Sequence, residues 1–315
     1  MRTDADSISG VVPIIPTPFD PGTEDVDLAA LRKLVDFAAS MDLGAVCLPA
    51  YGSEYYKLTD AERLQVVETV VEHAAGRFPV IAQCNHGAAR VAADLARQSV
   101  ARGADVVSFA LPRQMPLAES DLLEYAARIC DAVETPILIQ DWNPAGSTVG
   151  ASFCAELQRR CPNFRYVKLE EPRMAPKVQA IREATDDGVG VFEGWGGLYT
   201  LELIPAGIRG IMPGLALSDF MAEVWRRGRS GDRTGALAVF QRILPWLTFV
   251  LSDMEFFNLM EKRLLVRMGV LEHATLRNPT LAPDADTLAY ADWLSEALVE
   301  AAETLNATRA QASDR

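Results

Sequence analysis

A closed (β/α)8 barrel with a C-terminal helical extension is the fold class this chain predicts. Three observations carry that expectation. Between Val11 and Arg233, eight short apolar runs of strand length alternate with eight helical patterns, the rhythm of parallel strands joined by crossover helices. The first run is followed by Thr17-Pro-Phe19, not by the glycine-rich turn that a doubly wound dinucleotide fold would place there. From about Arg233 the pattern turns to helices alone. The expected organisation is therefore a barrel over residues 1–232 and a helical extension over 233–315, which need not be an independent domain.

The first strand is expected over Val11–Pro16, punctuated by prolines. Asp27 caps a helix whose Leu28, Leu31, Leu34, Val35 and Ala38 recur at helical spacing. Ala45–Leu48 is the second strand, and Thr59-Asp-Ala-Glu62 is a capping box opening a helix to His73. Strands at Pro79–Gln83, Asp105–Phe109 and Pro136–Gln140 then alternate with helices at 88–101, 119–132 and 151–160. The sixth strand is Tyr166–Leu169, followed by a helix at 175–183, a strand at Gly190–Glu193 and a short helix at 199–204. The eighth strand falls within Gly207–Gly214, and its helix begins near Ala216. The extension holds helices at 234–251, 254–268 and 285–305, with 307–315 expected as a frayed tail.

At 315 residues the chain can bury a barrel-sized core. Its net charge of −13 argues against nucleic acid and anionic membranes as partners, though a local site can still be positive. The N-terminal MRTDADSISG has no apolar core of a secretory signal, and no run is long enough to span a membrane. The expectation is a cytoplasmic protein. Cys47, Cys84, Cys130, Cys154 and Cys161 are odd in number and lack a CxxC pair, so they read as reduced, mostly buried thiols. No metal-ligand spacing is present, and no metal site is expected.

In such a barrel the active site lies at the C-terminal ends of the strands. That rule selects Thr17; Tyr51, Gly52, Ser53 and Glu54; Asn85 and His86; Gln140 and Asp141; Lys168 and Glu170; Glu193 and Trp195; and Pro213 and Gly214. Lys168 stands out. Of five lysines it alone falls inside a strand pattern. An unpaired buried ammonium favours its neutral form, the nucleophile of Schiff-base chemistry; the alternative is a strand-end lysine paired with Glu170 or Glu171. Gly52 and Ser53, beside Tyr51, offer donors for a carboxylate, or form an ordinary polar loop. Glu54 reads as a loop staple accepting backbone N–H bonds, and His86 either as a group polarising a substrate hydroxyl or as a structural imidazole.

Pro13-Ile-Ile-Pro-Thr-Pro-Phe19, Gly52-Ser-Glu54 with Leu58-Thr-Asp-Ala-Glu-Arg63, Pro136-Ile-Leu-Ile139 and Tyr166-Val-Lys-Leu-Glu170 together resemble the dihydrodipicolinate synthase / N-acetylneuraminate lyase family, over about residues 9–270. The resemblance implies a (β/α)8 barrel with a helical extension and no metal or organic cofactor. It also implies a homo-oligomer, tetramer or dimer, and a Schiff base between Lys168 and a small-molecule 2-oxo acid. Two departures matter. Ala50-Tyr-Gly-Ser-Glu54 stands where the family usually has Gly-Thr-Thr-Gly-Glu, and Gln140-Asp141 where it has Tyr-Asn. The phenolic proton relay is thus missing from its usual place. The combination of Gln140, His86 and Lys168-Leu-Glu170 is more similar to the sugar-acid dehydratase branch, those acting on L-2-keto-3-deoxyarabonate in particular. What this implies is a lyase with Lys168, Tyr51 and Gln140 catalytic. Gly52, Ser53, His86, Asp141, Glu170, Glu193 and Pro213 would contact substrate. A retro-aldol lyase, a dihydrodipicolinate synthase-like condensation and a non-catalytic sugar-acid-binding barrel remain the alternatives.

Overall fold

The structure, a computed structural model, describes residues 7–144 and 146–313. The extreme N-terminus, read above for a signal, lies outside the described residues up to position 6. Eight parallel strands follow one another in the order β1-β8-β7-β6-β5-β4-β3-β2. They are β1 Gly10–Val11, β2 Val46–Leu48, β3 Val80–Gln83, β4 Val106–Ala110, β5 Ile137–Asp141, β6 Phe164–Leu169, β7 Gly190–Glu193 and β8 Gly210–Ile211. The ring closes between β1 and β2 through a parallel bridge at Ile14–Cys47, where the Cys47 N–H donates to Pro13 O at 2.9 Å. The first strand is shorter than the expected Val11–Pro16. Pro13 and Pro16 have no N–H to give a ladder, so regular pairing stops at Val11 and resumes as isolated bridges from Ile14 to Cys47 and to Gly214.

The barrel helices are α1 Leu28–Ala39, α2 Asp60–Ala74, α3 Ala89–Ala101, α4 Glu119–Cys130, α5 Ala151–Arg160, α6 Ala175–Ala184, α7 Thr200–Leu203 and α8 Ser218–Arg229. Local chemistry starts them as the sequence indicates. Asp27 accepts from the Ala29 and Ala30 N–H groups, and Thr59 and Glu62 form the reciprocal capping box of α2. Two layers of apolar side chains result. One, with Val12, Ile14, Cys47, Ile81, Val106, Leu138, Tyr166, Phe192 and Met212, fills the barrel interior. The other lies between strands and helices and runs on into the extension as one core. All five cysteines are buried and unpaired.

The extension comprises α9 Arg233–Val250, α10 Met254–Arg267 and α11 Ala285–Ser313. Residues 307–313, expected as a frayed tail, continue α11; 314–315 lie outside the described residues. Among the described residues no helix is long and apolar enough to cross a membrane. The turn between α9 and α10 folds back over the C-terminal mouth of the barrel. A buried ion cluster fixes it there. Glu54, at a left-handed φ of 56°, accepts from Lys262 Nζ at 2.6 Å and from Lys57 Nζ at 3.0 Å. Lys57 also reaches Glu255 at 2.6 Å, and Lys262 sits 4.5 Å from the Phe19 ring centroid. Glu54 holds this region through two lysines, not through the backbone N–H groups expected from the sequence.

Replacing Lys262 by alanine strips the fully buried Glu54 of its shortest contact. Loss of one partner in a buried pair costs about 3–5 kcal/mol. Lys57 remains, so a loss near the lower end is expected, measured as a fall in the urea midpoint at constant slope. The double variant Glu54→Gln/Lys262→Met removes both charges and recovers at least half of it.

Candidate active site

At the mouth of the barrel lies a cavity of about 310 Å³. Its floor is polar. Lys168, from the end of β6, is 5% exposed, and its Nζ lies 3.0 Å from Glu170 Oε1. Gln140, from β5, donates from Nε2 to the same carboxylate oxygen at 2.6 Å. Gln83, from β3 behind the wall, donates in turn to Gln140 Oε1 at 2.5 Å. The lysine is therefore buried and paired at once, where the sequence posed burial and pairing as alternatives.

Walls and roof are mostly apolar. Ile14, Trp142, Trp195, Met212, Pro213 and Phe257 face the cavity, and the α9–α10 turn adds Leu251, Ser252, Asp253 and Met254. Tyr51 and Gly52 complete one side, with the Tyr51 ring edge-on to Trp142 at 5.8 Å. Burial and the neighbouring Tyr55 raise the Tyr51 phenol well above the usual range, so it stays protonated and serves as a hydroxyl.

Of the expected contact residues, Tyr51, Gly52, Gln140, Lys168, Glu170 and Pro213 line this cavity; Ser53, His86, Asp141 and Glu193 do not. Ser53 is spent on the backbone: its N–H donates to Ala50 O at 3.0 Å and its hydroxyl to Ile15 O at 2.6 Å. His86 sits exposed on the loop after β3, its Nδ1 accepting from the Ala88 N–H at 2.9 Å. Asp141 and Glu193 fail for one shared reason. Side chains alternate along a strand, and Gln140 and Phe192 take the inward positions. Asp141 therefore points to the helix layer, where it grips Arg113 at 2.8 and 2.6 Å and the Val149 N–H at 2.6 Å. Glu193 accepts from the N–H groups of Trp195 (3.1 Å) and Tyr199 (3.4 Å), organising the loop that carries Trp195 into the cavity.

Two glycines are required by contact. A Cβ on Gly194 would stand 2.5 Å from Lys168 Cε and 2.6 Å from Glu170 Cγ. One on Gly214 would stand 2.5 Å from Oε2 of Glu261, a fully buried carboxyl that accepts from the Ala216 N–H. Gln83, Trp142 and the α9–α10 turn were not among the site residues selected from the sequence. Gln83 shares the inward parity of Ile81, which was a usable signal; nothing local to residues 251–257 announces that they roof a cavity 80 residues or more away in sequence from Lys168. Among the described residues no group of three or more His, Cys, Asp or Glu could hold a metal ion.

Gly194→Ala should leave the protein folded with an unchanged unfolding temperature to within a few degrees, while displacing Lys168 and Glu170. A misplacement of this order costs about 100-fold in kcat/KM, read by steady-state kinetics. The buried carboxyls give a pH signature. Burial pushes Glu193 up to about 8 and Glu261 up to about 7. Each folded-state value lies above the unfolded one, so the folded chain retains protons that the unfolded chain releases from pH 4.5 upward. Stability accordingly falls as pH rises from 4.5 to about 7 for Glu261 and to about 8 for Glu193, by up to about 1.4 kcal/mol per pH unit for each group. Urea unfolding at several pH values reads the slope, and Glu193→Gln and Glu261→Gln each flatten it.

The comparisons with known proteins agree with this geometry. The family model described as the dihydrodipicolinate synthetase family matches residues 7–294. The chain is 30% identical over 294 residues to L-2-keto-3-deoxyarabonate dehydratase of Azospirillum brasilense, covering 90% of this chain and 93% of that protein. It is 27% identical over 244 residues to 4-hydroxy-tetrahydrodipicolinate synthase of Methanopyrus kandleri, covering 76% and 80%. A solved 4-hydroxy-tetrahydrodipicolinate synthase from Methylacidiphilum fumariolicum shares the fold, with a TM-score of 0.87 at 18% identity over 95% of this chain and 98% of that one. A lysine-floored cavity at the C-terminal mouth of an eight-stranded barrel, and a family match that spans both barrel and extension, place the chain in the dihydrodipicolinate synthetase family.

Proposed function

We propose that the protein is a Schiff-base hydro-lyase acting on a 2-keto-3-deoxy sugar acid of the L-2-keto-3-deoxyarabonate type. One observation carries the reading: the amine of Lys168 and the carboxylate of Glu170 stand 3.0 Å apart on the cavity floor, and Gln140, not a tyrosine, completes the group. The similarity to the Azospirillum brasilense dehydratase supports the choice of substrate.

The substrate carboxylate would lie toward Tyr51 and the backbone at Gly52, since Ser53 is already committed. Glu170 takes a proton from Lys168, freeing the amine to attack C2. It returns that proton to the carbinolamine hydroxyl, which leaves as water and gives the iminium. Glu170 then removes a C3 proton, and the pair of electrons collects in an enamine. Collapse of the enamine expels the C4 hydroxyl, which takes the proton from Glu170 and departs as water. A proton moves from C5 to C3, and hydrolysis frees Lys168 and an enol that becomes the C5 aldehyde. The water released at imine formation is returned at hydrolysis, so one water is lost per turnover. Gln140 can donate to Glu170 but cannot act as a base. Among Tyr51, His86, Asp141, Glu170 and Glu193, the position of Glu170 beside the Lys168 amine supports it as the proton carrier.

The test is borohydride reduction in the presence of pyruvate or of five- and six-carbon 2-keto-3-deoxy sugar acids, read by peptide mass. The expected result is a reduced adduct on the peptide bearing Lys168, lighter by one water with the five-carbon acid. Lys168→Ala should fold, form no adduct and lose turnover. Pyruvate released from the sugar acids would replace dehydration by aldol cleavage. Absence of any adduct in folded wild-type protein would overturn the Schiff-base reading.

A further inference from the structure

Gln83 is 3% exposed and lies behind the cavity wall, outside the cavity lining itself. It heads a directed chain: Gln83 Nε2 to Gln140 Oε1 at 2.5 Å, then Gln140 Nε2 to Glu170 Oε1 at 2.6 Å, with Lys168 Nζ 3.0 Å from that oxygen. The direction follows from charge. An ionised carboxylate only accepts, so Gln140 must present its NH2 to Glu170 and its carbonyl away from it. That carbonyl is buried and needs a donor, which Gln83 supplies. Gln83 Oε1 has no hydrogen-bond partner among the described residues, nor has the hydroxyl of Ser108, its register neighbour on β4. The one hydrogen bond of the Gln83 side chain among those residues is therefore the one that orients Gln140.

We propose that Gln83 is a positioning residue for proton transfer, fixing the direction of the Gln140 amide and through it the Glu170 carboxylate. The assignment rests on the Schiff-base reading above. During turnover Glu170 is alternately ionised and protonated. Once protonated, it no longer compels Gln140 to keep its NH2 inward, and a half-turn of that amide would set a carbonyl against the carboxyl when its proton leaves. Gln83 holds the amide through that interval. Its rigid place on β3, two residues beyond the interior Ile81, suits it to the task.

The experiment is a double-mutant cycle of Gln83→Met and Gln140→Met, with pyruvate as probe. Two quantities are measured in D2O: borohydride-trapped adduct on Lys168, and deuterium entering the pyruvate methyl group. The expected result is that Gln83→Met traps pyruvate within about twofold of wild type but exchanges about 10–100-fold more slowly, in the range of a displaced general base. In the Gln140→Met background the Gln83 change costs no more than about a further twofold. Exchange at the wild-type rate in Gln83→Met, or equal losses in both backgrounds, would overturn the assignment. If wild type traps a sugar acid on Lys168 but does not exchange pyruvate, this assignment falls alone; if it traps neither pyruvate nor the sugar acids, the Schiff-base reading falls with it. Should Gln83→Met not fold, Gln83→Glu serves. Its exchange relative to wild type should recover as pH falls and the carboxyl regains a proton to donate; a pH-independent ratio would overturn the assignment.

Discussion

Successive residues of a strand face opposite ways, and in a closed barrel one of those faces is the interior. The polar floor at the mouth of this molecule follows from that alternation. Ile81 and Gln83, Leu138 and Gln140, Tyr166 and Lys168 take inward positions in pairs, an apolar residue below and a polar one above. The lower members seal the barrel with a dry core. The upper ones meet over it as a single hydrogen-bonded line from β3 to β6. The same rule sends Asp141 and Glu193 to the outer face, where each braces a loop rather than a ligand.

The polar floor would be open to solvent without the extension. Leu251 to Met254 and Phe257 lie over it, so the cavity is shared between the barrel and helices well beyond its last strand. That roof is held by charges taken out of water, an arrangement that is costly unless every partner is in place. Glu54 meets this demand with Lys262 and Lys57, and Arg277 adds a second tie, pairing with Glu62 and lying 4.6 Å from the Phe19 ring centroid. The cluster begins one residue after Ser53, at the end of the turn that presents Tyr51 and Gly52 to the cavity. Seating the extension and shaping that turn are thus one event, which gives the extension a part in the site.

Much of this was legible in the chain. Helix starts at Asp27 and Thr59 were readable because a cap is a contact between residues two or three apart. Lys168 was readable because a lysine in a strand pattern conflicts with burial. The errors came where a strand end was treated as a point. The rule that sites gather at C-terminal ends selected Gln140 and Asp141 alike, and counting parity from the apolar Leu138 would have separated them. Ser53 and His86 lie on loops beyond the strands, where parity says nothing and only the fold reveals that Ile15 and Ala88 take up their side chains. The roof at 251–257 and the pairing of Glu54 with Lys262, 208 residues apart, depend on tertiary closure alone.

The cavity carries little positive charge of its own, in keeping with a protein of net charge −13. Lys168 and Glu170 offset one another, Asp253 adds a carboxylate at the roof, and no other cationic side chain lines the cavity among the described residues. A carboxylate entering there finds neutral donors such as the protonated Tyr51, not a fixed positive charge. In the proposed reaction, condensation at C2 turns the Lys168 amine into a cationic imine nitrogen. That cation forms as Glu170 gives its proton to the departing hydroxyl, so it would face the ionised Glu170 and the substrate's own carboxylate together. Indole, thioether and phenyl groups around it, from Trp142, Trp195, Met212 and Phe257, exclude water and strengthen the attraction. The hold on the substrate would therefore be stronger in the iminium than in the entering acid, and would relax when the C3 proton passes to Glu170 and the electrons collect in the enamine. Holding the reacting state more tightly than the entering one is what catalysis requires.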